Sequence, residues 1–498
     1  MSTVFCLGES MNYYIGLDIG TSSVKAMLIN ENEIINTASR EYPLYFPKPN
    51  YSEQNPQDWY RESISAIQEL TADIDKSCVR AISFSGQMHG LVLLDEQDAI
   101  IRPAILWNDG RSEKEVAFLN NEIGKKFLLE HTGNIAFAGF TAPKLLWVYH
   151  NEPENFSRIR KIMLPKDYVA YMLSGVFATD TSDAAGTLYF DTKNRCWSKP
   201  MLDLLSIEES KLPKVFESVA VIGCLRENIA DKLGLNTDVK IVIGAGDNAA
   251  SAIGTGTVND GDCNISLGTS GTVFVCTDRF NCDKENAIHS FCSANGKYHY
   301  LACTLTAASS QKWWIEDILK SDYDYEKQAE RYFGKSDILF LPYLMGERSP
   351  VNDTDVRGMF ANLSMNTKRE EMTLAVLEGV SFSLRQNMDI IKSLGVDIQK
   401  SKICGGGAKS KLWCRLLATI LDIELEIPAL EHGGVLGACL LAAKGTGNDI
   451  SENFYGVKEK IKPDKSLTEF YNRKYQRYLK LYPMMKSQLG FFANRDYS

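Results

Sequence analysis

Two stretches of the chain, 248 residues apart, repeat one short pattern. The first reads Gly16-Leu17-Asp18-Ile19-Gly20-Thr21-Ser22-Ser23-Val24. The second reads Asn264-Ile265-Ser266-Leu267-Gly268-Thr269-Ser270-Gly271-Thr272-Val273. In each, an apolar run meets a Gly-Thr-Ser turn and a second apolar run follows. That is the pattern of a β-hairpin with glycine and small hydroxyl residues at its bend. A tip made of backbone N–H groups and hydroxyls is also a cradle for phosphate. The offset is half of the 498 residues, so each half of the chain is expected to open on an equivalent hairpin. A glycine-rich and polar stretch, Gly254 to Asp262, lies just before the second copy and marks the expected boundary. The division is then an extension 1–12, a first domain 13–255 and a second domain 256–498.

Between the hairpins, strand and helix patterns alternate, which argues an α/β architecture. Asn55-Pro56 has the cap and first-position chemistry of a helix start. Tyr60, Ile64, Ile67, Leu70 and Ile74 then recur at helical spacing. Ala81–Phe84 is a short strand running into Ser85-Gly86, and Val239–Ile243 another running into Gly244. Thr367 and Glu370 have capping-box spacing before a long helix with Leu374, Leu377, Leu384, Met388 and Ile391 on one side. Ile403-Cys404 is a strand that ends in Gly405-Gly406-Gly407.

The composition narrows the partners. Apolar residues make up 44% and charged residues 23%, the balance of a globular protein. The net charge of −9 disfavours a nucleic-acid partner. Its densest basic run, Lys458 to Lys465, is broken by Glu459 and Asp464. Twelve cysteines are scattered without a Cys-x-x-Cys or a Cys/His zinc spacing, so reduced thiols in a cytoplasmic protein are expected. Met1 to Asn12 has no positively charged start and is not read as a secretory signal. The nine-residue apolar run Val435–Ala443 is too short to span a bilayer.

Several segments carry groups suited to chemistry. Asp18 stands immediately before the first turn, where a carboxylate can hold Mg²⁺ beside a phosphate, although a turn aspartate also commonly bonds its own backbone. The second copy has Ser266 at that place. Gly405-Gly406-Gly407-Ala408-Lys409-Ser410 lacks the glycines of a P-loop at the required spacing. It is either a plain glycine turn or a place where a flat ligand approaches the backbone. Gly244-Ala245-Gly246-Asp247-Asn248-Ala249 matches a loose dinucleotide fingerprint. However, no acidic strand end follows at the required distance, and the chain enters the second hairpin instead. What remains is Asp247, just past a strand's carboxyl end, where α/β sheets bind ligands and where a carboxylate can accept a proton from a hydroxyl. Gln87-Met88-His89-Gly90 also follows a strand, and Trp107-Asn108-Asp109-Gly110-Arg111 comes soon after. Amide, imidazole, carboxylate, guanidinium and an indole face together suit a polyhydroxylated ligand.

In order along the chain, these segments resemble the FGGY carbohydrate kinases. The likeness runs from about Tyr13 to Lys444 and includes Pro103–Arg111, Phe140–Trp147, Leu164–Tyr168, Ser182–Thr187, Gly346-Glu347-Arg348 and Gly434–Ala438. It implies two related α/β domains of the actin, Hsp70 and hexokinase type (ribonuclease-H-like), with a deep cleft between them. ATP would place its phosphates at Gly20, Thr21 and Ser22 and at Gly268, Thr269, Ser270 and Gly271. Gly405, Gly406, Gly407, Ala408 and Lys409 would approach the adenosine, and Asp18 would face Mg²⁺. The sugar would meet Met88, His89, Trp107, Asp109 and Asn248, with Asp247 as the catalytic base. Within the family, the Gln87–Gly90 segment is most similar to kinases that phosphorylate D-xylulose at O5. Kinases of sedoheptulose and gluconate carry similar stretches, and ribulose is a further alternative. An ATP-driven interaction protein on the same fold is the reading from another class, and the polar cluster from Gln87 to Arg111 argues against it. The expected partners are a sugar and ATP, with no nucleic acid and no membrane. A homodimer is compatible with the sequence.

Overall fold

A computed structural model describes residues 11–285, 288–320, 324–430 and 432–487. The expected extension 1–12 therefore lies, up to residue 10, outside the described residues. The chain divides into two compact units, and neither is continuous in sequence. The first holds Met1–Val258, Phe291–Lys297 and His432–Tyr455. The second holds Asn259–Ser290, Tyr298–Glu431 and Gly456–Ser498.

The first unit is built on strands β1 (Tyr13–Ile19), β2 (Ser23–Ile29), β3 (Ile34–Glu41), β4 (Val79–Gly86), β5 (Val221–Cys224) and β6 (Lys240–Val242), in the sheet order β5-β6-β4-β1-β2-β3. β1–β2 and β2–β3 are antiparallel, as is β5–β6, while β4 runs parallel to both β1 and β6. Helix α1 (Pro56–Leu70) covers one face. As expected, Pro56 opens it and the Asn55 side chain accepts the Gln57 N–H at 3.1 Å. Its buried face is led by Trp59, whose ring is fully enclosed, and Tyr60 is only half-buried. The helix stops at Leu70, before Ile74, with Thr71 as its C-cap giving both its N–H and its hydroxyl to the Ile67 carbonyl, at 3.1 and 2.9 Å. Among the other helices of this unit are α2 (Pro165–Ser174) and α3 (Asp247–Thr255).

The second unit repeats the plan. Its strands are β7 (Cys263–Leu267), β8 (Gly271–Thr277), β9 (Tyr298–Thr304), β10 (Lys400–Cys404), β11 (Glu424–Pro428) and β12 (Val457–Ile461). They lie in the order β12-β11-β10-β7-β8-β9. Each pairing has the sense of its counterpart: β7–β8, β8–β9 and β11–β12 are antiparallel, and β7–β10 and β10–β11 are parallel. The sequence echo is thus the visible part of a duplicated sheet. Helix α4 (Arg369–Ser393) buries Leu374, Leu377, Leu384, Met388 and Ile391 as expected. Its start is one residue later than the Thr367/Glu370 spacing suggested. Lys368 is the cap, with its N–H bonded to Glu371, and the Thr367 hydroxyl instead accepts the Ser364 N–H at 2.9 Å. Helix α5 (Lys411–Leu421) follows the glycine run.

Helix α6 (Gly433–Gly445) follows β11 but belongs to the first unit, where it packs along β1 and α3. The approach to α3 is unusually close. A Cβ on Gly437 would lie 1.8 Å from the Ala250 carbonyl oxygen, so only glycine allows the two backbones to meet. All eleven described cysteines are free thiols, and no helix among the described residues is long and apolar enough to cross a membrane.

Candidate active site

In the first unit the register places three chain segments side by side. Asp18 pairs with Ser85 across β1–β4, and Gly246 pairs with Gly86 on the other side of β4. The carboxyl ends of these strands therefore bring Asp18, the Ser85–His89 segment and Asp247 to one edge, the edge where open α/β sheets hold ligands. Ser85 Oγ donates to Asp18 Oδ1 at 2.7 Å. The first turn of α6 closes over the same carboxylate: a Cβ on Gly434 would stand 3.1 Å from Asp18 Oδ2. A helix N-terminus this near favours negative charge on Asp18. Burial works against it and raises the Asp18 pKa above the usual carboxylate value, with Ser85 and Lys25 pulling it back.

Asp247 is the first residue of α3. Its Oδ1 accepts both the backbone N–H and the side-chain amide of Asn248, at 2.7 and 2.9 Å. Burial, reinforced by the Asp18 charge, raises its pKa to about 7. A carboxylate in this state is poised near neutrality, where a general base works best.

Met88 is buried and lies against Gly246 and Gly186. Its sulfur is 3.9 Å from the Asn248 amide. His89 adopts a left-handed backbone, φ 70°, which turns its side chain back toward residues 184–187. Its Nδ1 is 2.7 Å from the Gly186 carbonyl, so Nδ1 carries a proton and donates to it. The ring packs on Phe140 and Phe291, with centroids at 4.8 and 6.1 Å. Thr141 Oγ1 and Lys144 Nζ hold the His89 carbonyl at 3.1 and 3.0 Å. The structure thus brings Met88, His89, Asp247 and Asn248 together.

Gln87 serves a different end. It links Thr21 Oγ1 to Gln54 Oε1, at 3.1 and 3.0 Å, and Gln54 in turn donates to the Thr21 carbonyl at 2.6 Å. Trp107 Nε1 donates to the same Thr21 hydroxyl at 2.9 Å, while its ring stays 41% exposed. Gly20, Thr21 and Ser22 are therefore braced as a turn.

Asp109 requires a correction. Its Oδ1 accepts Arg111 N and Nε, at 2.9 and 2.8 Å. Its Oδ2 accepts Arg111 Nη2 and Ser52 N, at 2.7 and 2.5 Å. Arg111 also pairs with Glu53 at 2.7 Å and stacks 3.8 Å above the Tyr51 ring. With both oxygens engaged, Asp109 anchors its loop through Arg111 and is not read as a sugar contact.

In the second unit the Gly268–Gly271 turn has its own brace. The Thr269 carbonyl accepts Ala307 N at 2.9 Å and Ser309 Oγ at 2.7 Å, and the Gly268 carbonyl accepts Ala308 N at 2.8 Å. Beside it is a cavity of about 430 Å³ lined by Thr269, Ser309, Gln311, Lys312, Ile315 and Glu316. Gly405, with φ 90°, lies on the end of β7, where a Cβ would be 2.6 Å from the Leu267 carbonyl carbon. The turn Gly406–Lys409 leads into Ser410, which caps α5 by accepting Trp413 N at 3.1 Å. Gly405 and the start of the Gly268–Gly271 turn are therefore neighbours. Glu347 of the Gly346–Arg348 motif accepts Leu305 N at 2.8 Å and binds the Thr304 hydroxyl, and burial raises its pKa to about 7. It ties a loop to the end of β9.

Sequence reasoning named Phe140, Lys166, Asp167 and Asp183 only within the matching segments Phe140–Trp147, Leu164–Tyr168 and Ser182–Thr187, and did not name Asp180, Phe291 or the residues beyond Thr269 that line the 430 Å³ cavity. Phe291 carries no local signal, since it reaches His89 only through the interleaving of the units. Among the described residues no group of three or more His, Cys, Asp or Glu forms a metal cluster.

A duplicated sheet with a phosphate-type hairpin at the start of each copy, and a near-neutral carboxylate at the strand ends, defines a phosphotransferase of the actin and hexokinase fold. Residues 13–254 match the N-terminal domain, and residues 263–446 the C-terminal domain, of the FGGY family of carbohydrate kinases. The chain belongs to this family. It is 35% identical over 486 residues to the xylulose kinase of Staphylococcus xylosus, covering 95% of this chain and all of that one. Its fold matches the crystal structure of a xyloylose kinase from Brucella ovis, with a TM-score of 0.90 and 39% identity over 96% of this chain and 100% of the other. It also matches gluconate kinase from Lactobacillus acidophilus, with a TM-score of 0.92 and 28% identity over 97% and 100%.

Proposed function

We propose that this kinase transfers the γ-phosphoryl group of ATP to the terminal O5 hydroxyl of D-xylulose, with Asp247 as the general base. The observation that carries the reading is Asp247 itself. It sits at the strand ends beside Met88, His89 and Asn248, with Oδ1 occupied by Asn248 and its pKa raised to about 7. The remaining oxygen, Oδ2, takes the hydroxyl proton as the sugar oxygen attacks phosphorus and the bond to the ADP oxygen breaks. The proton stays on Asp247, and ADP leaves with the electron pair. Charge spread over the transferring oxygens is stabilised by backbone N–H groups of the Gly20–Ser22 turn. Gly405–Lys409 and the cavity beside Thr269 hold the nucleoside.

Mg²⁺ fits the acidic edge. Asp18 and Asp247 are two partly buried carboxylates, each with its pKa raised, and a bound cation relieves that penalty. Asp18 would hold it, and its chemistry there is to neutralise phosphate charge. The S. xylosus relative supports the substrate.

The test is coupled ADP release with D-xylulose, D-ribulose, gluconate and sedoheptulose. The highest kcat/KM should be for D-xylulose, with little ADP formed without sugar. A higher kcat/KM for gluconate or sedoheptulose overturns the substrate and leaves the kinase. ADP release independent of any sugar overturns the reaction.

A further inference from the structure

Behind Asp247 lies a charge cluster that phosphoryl transfer does not itself use. Lys166, the second residue of α2, is completely buried. Its Nζ lies 2.6 Å from Asp167 Oδ1, 2.9 Å from Asp180 Oδ1 and 3.7 Å from Asp183 Oδ2, all equally buried. Three carboxylates and one ammonium removed from water are costly to solvate, so the cluster is weak evidence of a device for stability. Both Asp183 oxygens and Asp167 Oδ2 accept no hydrogen bond. Asp180 is the exception. Its Oδ2 accepts Ser182 N at 2.9 Å, Ser182 Oγ at 2.6 Å and Ser218 Oγ at 2.7 Å.

The Ser182 hydroxyl has one proton, and the geometry decides where it goes. Gly246 N–H lies 3.1 Å from Ser182 Oγ and can only donate. The hydroxyl therefore accepts from Gly246 and gives its own proton to Asp180. Gly246 immediately precedes Asp247 and is the cap residue of α3. The stem of Lys166 fixes the same place from below: a Cβ on Gly86 would meet Lys166 Cβ at 2.8 Å, and Gly86 is the register partner of Gly246. One polar chain thus runs from Lys166 Nζ through Asp180 and Ser182 to the N–H that starts the helix bearing Asp247.

We propose that Ser182 is a positioning residue for the transfer: held by Asp180 and Lys166, its hydroxyl fixes the Gly246 N–H and so aims the Asp247 carboxylate. The inference rests on the reading of Asp247 as the base. A base displaced by about 1 Å can lose on the order of a hundredfold in rate while binding is kept.

The test compares Ser182→Ala with Ser218→Ala in the full chain. Both remove a hydrogen bond to the same Asp180 oxygen, but only the first frees Gly246. Turnover is expressed per D-xylulose site counted by calorimetric titration, so that unfolded protein does not enter. Ser182→Ala should lower kcat about tenfold to a hundredfold, with KM for D-xylulose and for ATP within about twofold of wild type. Ser218→Ala should keep kcat within about twofold. Ser182→Cys keeps most of the volume with a weak acceptor and should lose kcat like the alanine variant, so it decides the matter where that variant does not fold. A kcat within twofold of wild type in the Ser182 variants overturns the proposal. An equal loss in Ser182→Ala and Ser218→Ala does too, because it reports Asp180 alone. Asp247→Asn separates the two readings. If it is inactive while the Ser182 variants are not, only the positioning role fails. If it keeps more than a tenth of kcat, the base assignment itself fails.

Discussion

Replacing Asp247 with asparagine should abolish most turnover and at the same time stabilise the protein, in a way that depends on pH. The side chains are nearly equal in shape, so packing around Met88 and Asn248 is retained and the change is chiefly one of charge. In the native state the carboxyl holds its proton to about 7, against 3.8 for an unfolded aspartate. Between those two values the unfolded chain is ionised while the folded one is not, so native stability from this group falls as pH rises. The interval corresponds to at most about 4 kcal/mol above pH 7, at roughly 1.4 kcal/mol for each tenfold. The side chain is only partly buried, and water screening brings the figure to about 1–3 kcal/mol. Loss of a negative charge from the first turn of α3 offsets about 0.3–1 kcal/mol of this. The net expectation is a Tm for Asp247→Asn about 2–6 °C above wild type at pH 8, shrinking to nothing or reversing near pH 4. Paired thermal scans of the two proteins at pH 4, 6 and 8, with turnover measured on the same preparations, check both halves. The rate should fall about 10²–10⁴-fold. A Tm difference that does not change with pH refutes the assignment of a strained, near-neutral carboxyl to this position. Survival of more than a tenth of kcat refutes its role as base.

The same carboxyl must be ionised to accept a proton, so kcat/KM for the sugar should drop about tenfold per pH unit below about 7 and level off above it; a limb centred below pH 5 contradicts the burial argument. His89→Ala removes a ring packed between Phe140 and Phe291, and should raise KM for the sugar at least tenfold while leaving KM for ATP within about twofold. An effect confined to ATP places His89 on the wrong substrate. Gly437→Ala drives a methyl into the Ala250 carbonyl and should cost about 3 kcal/mol or more, read as a Tm lowered by at least 6 °C or as insoluble protein. Gly406→Ala meets no atom within 4 Å, so it should leave Tm within about 1 °C and raise KM for ATP; an unchanged KM removes Gly406 from the nucleotide surface.

What the sequence determined by itself was whatever is encoded within a few neighbouring residues. The Gly-Thr-Ser bends, the Asn55-Pro56 start and the strand running into Gly86 follow from turn and cap chemistry and appear as expected, while the strand before Gly244 is shorter than Val239–Ile243, spanning Lys240–Val242. The ordered motifs then carried the family. Local chemistry could not say which of two near-equivalent caps wins, and Lys368 prevailed over Thr367 because the Thr367 hydroxyl was taken by Ser364 N. Asp109 reads in sequence as one of the polar groups that would meet a sugar, and only the fold shows both oxygens spent on Arg111 and Ser52. Tertiary structure also decided that α6, encoded far into the second half, closes over Asp18, and that Phe291 reaches His89. Above all it decided the state of Asp247. Its residue type is written at one position, but its proton affinity is set by burial and by Asp18 on another strand, and its aim by Ser182 and Lys166 on two further segments. Electric fields and desolvation act through space, and their sources become neighbours only once the sheet has assembled.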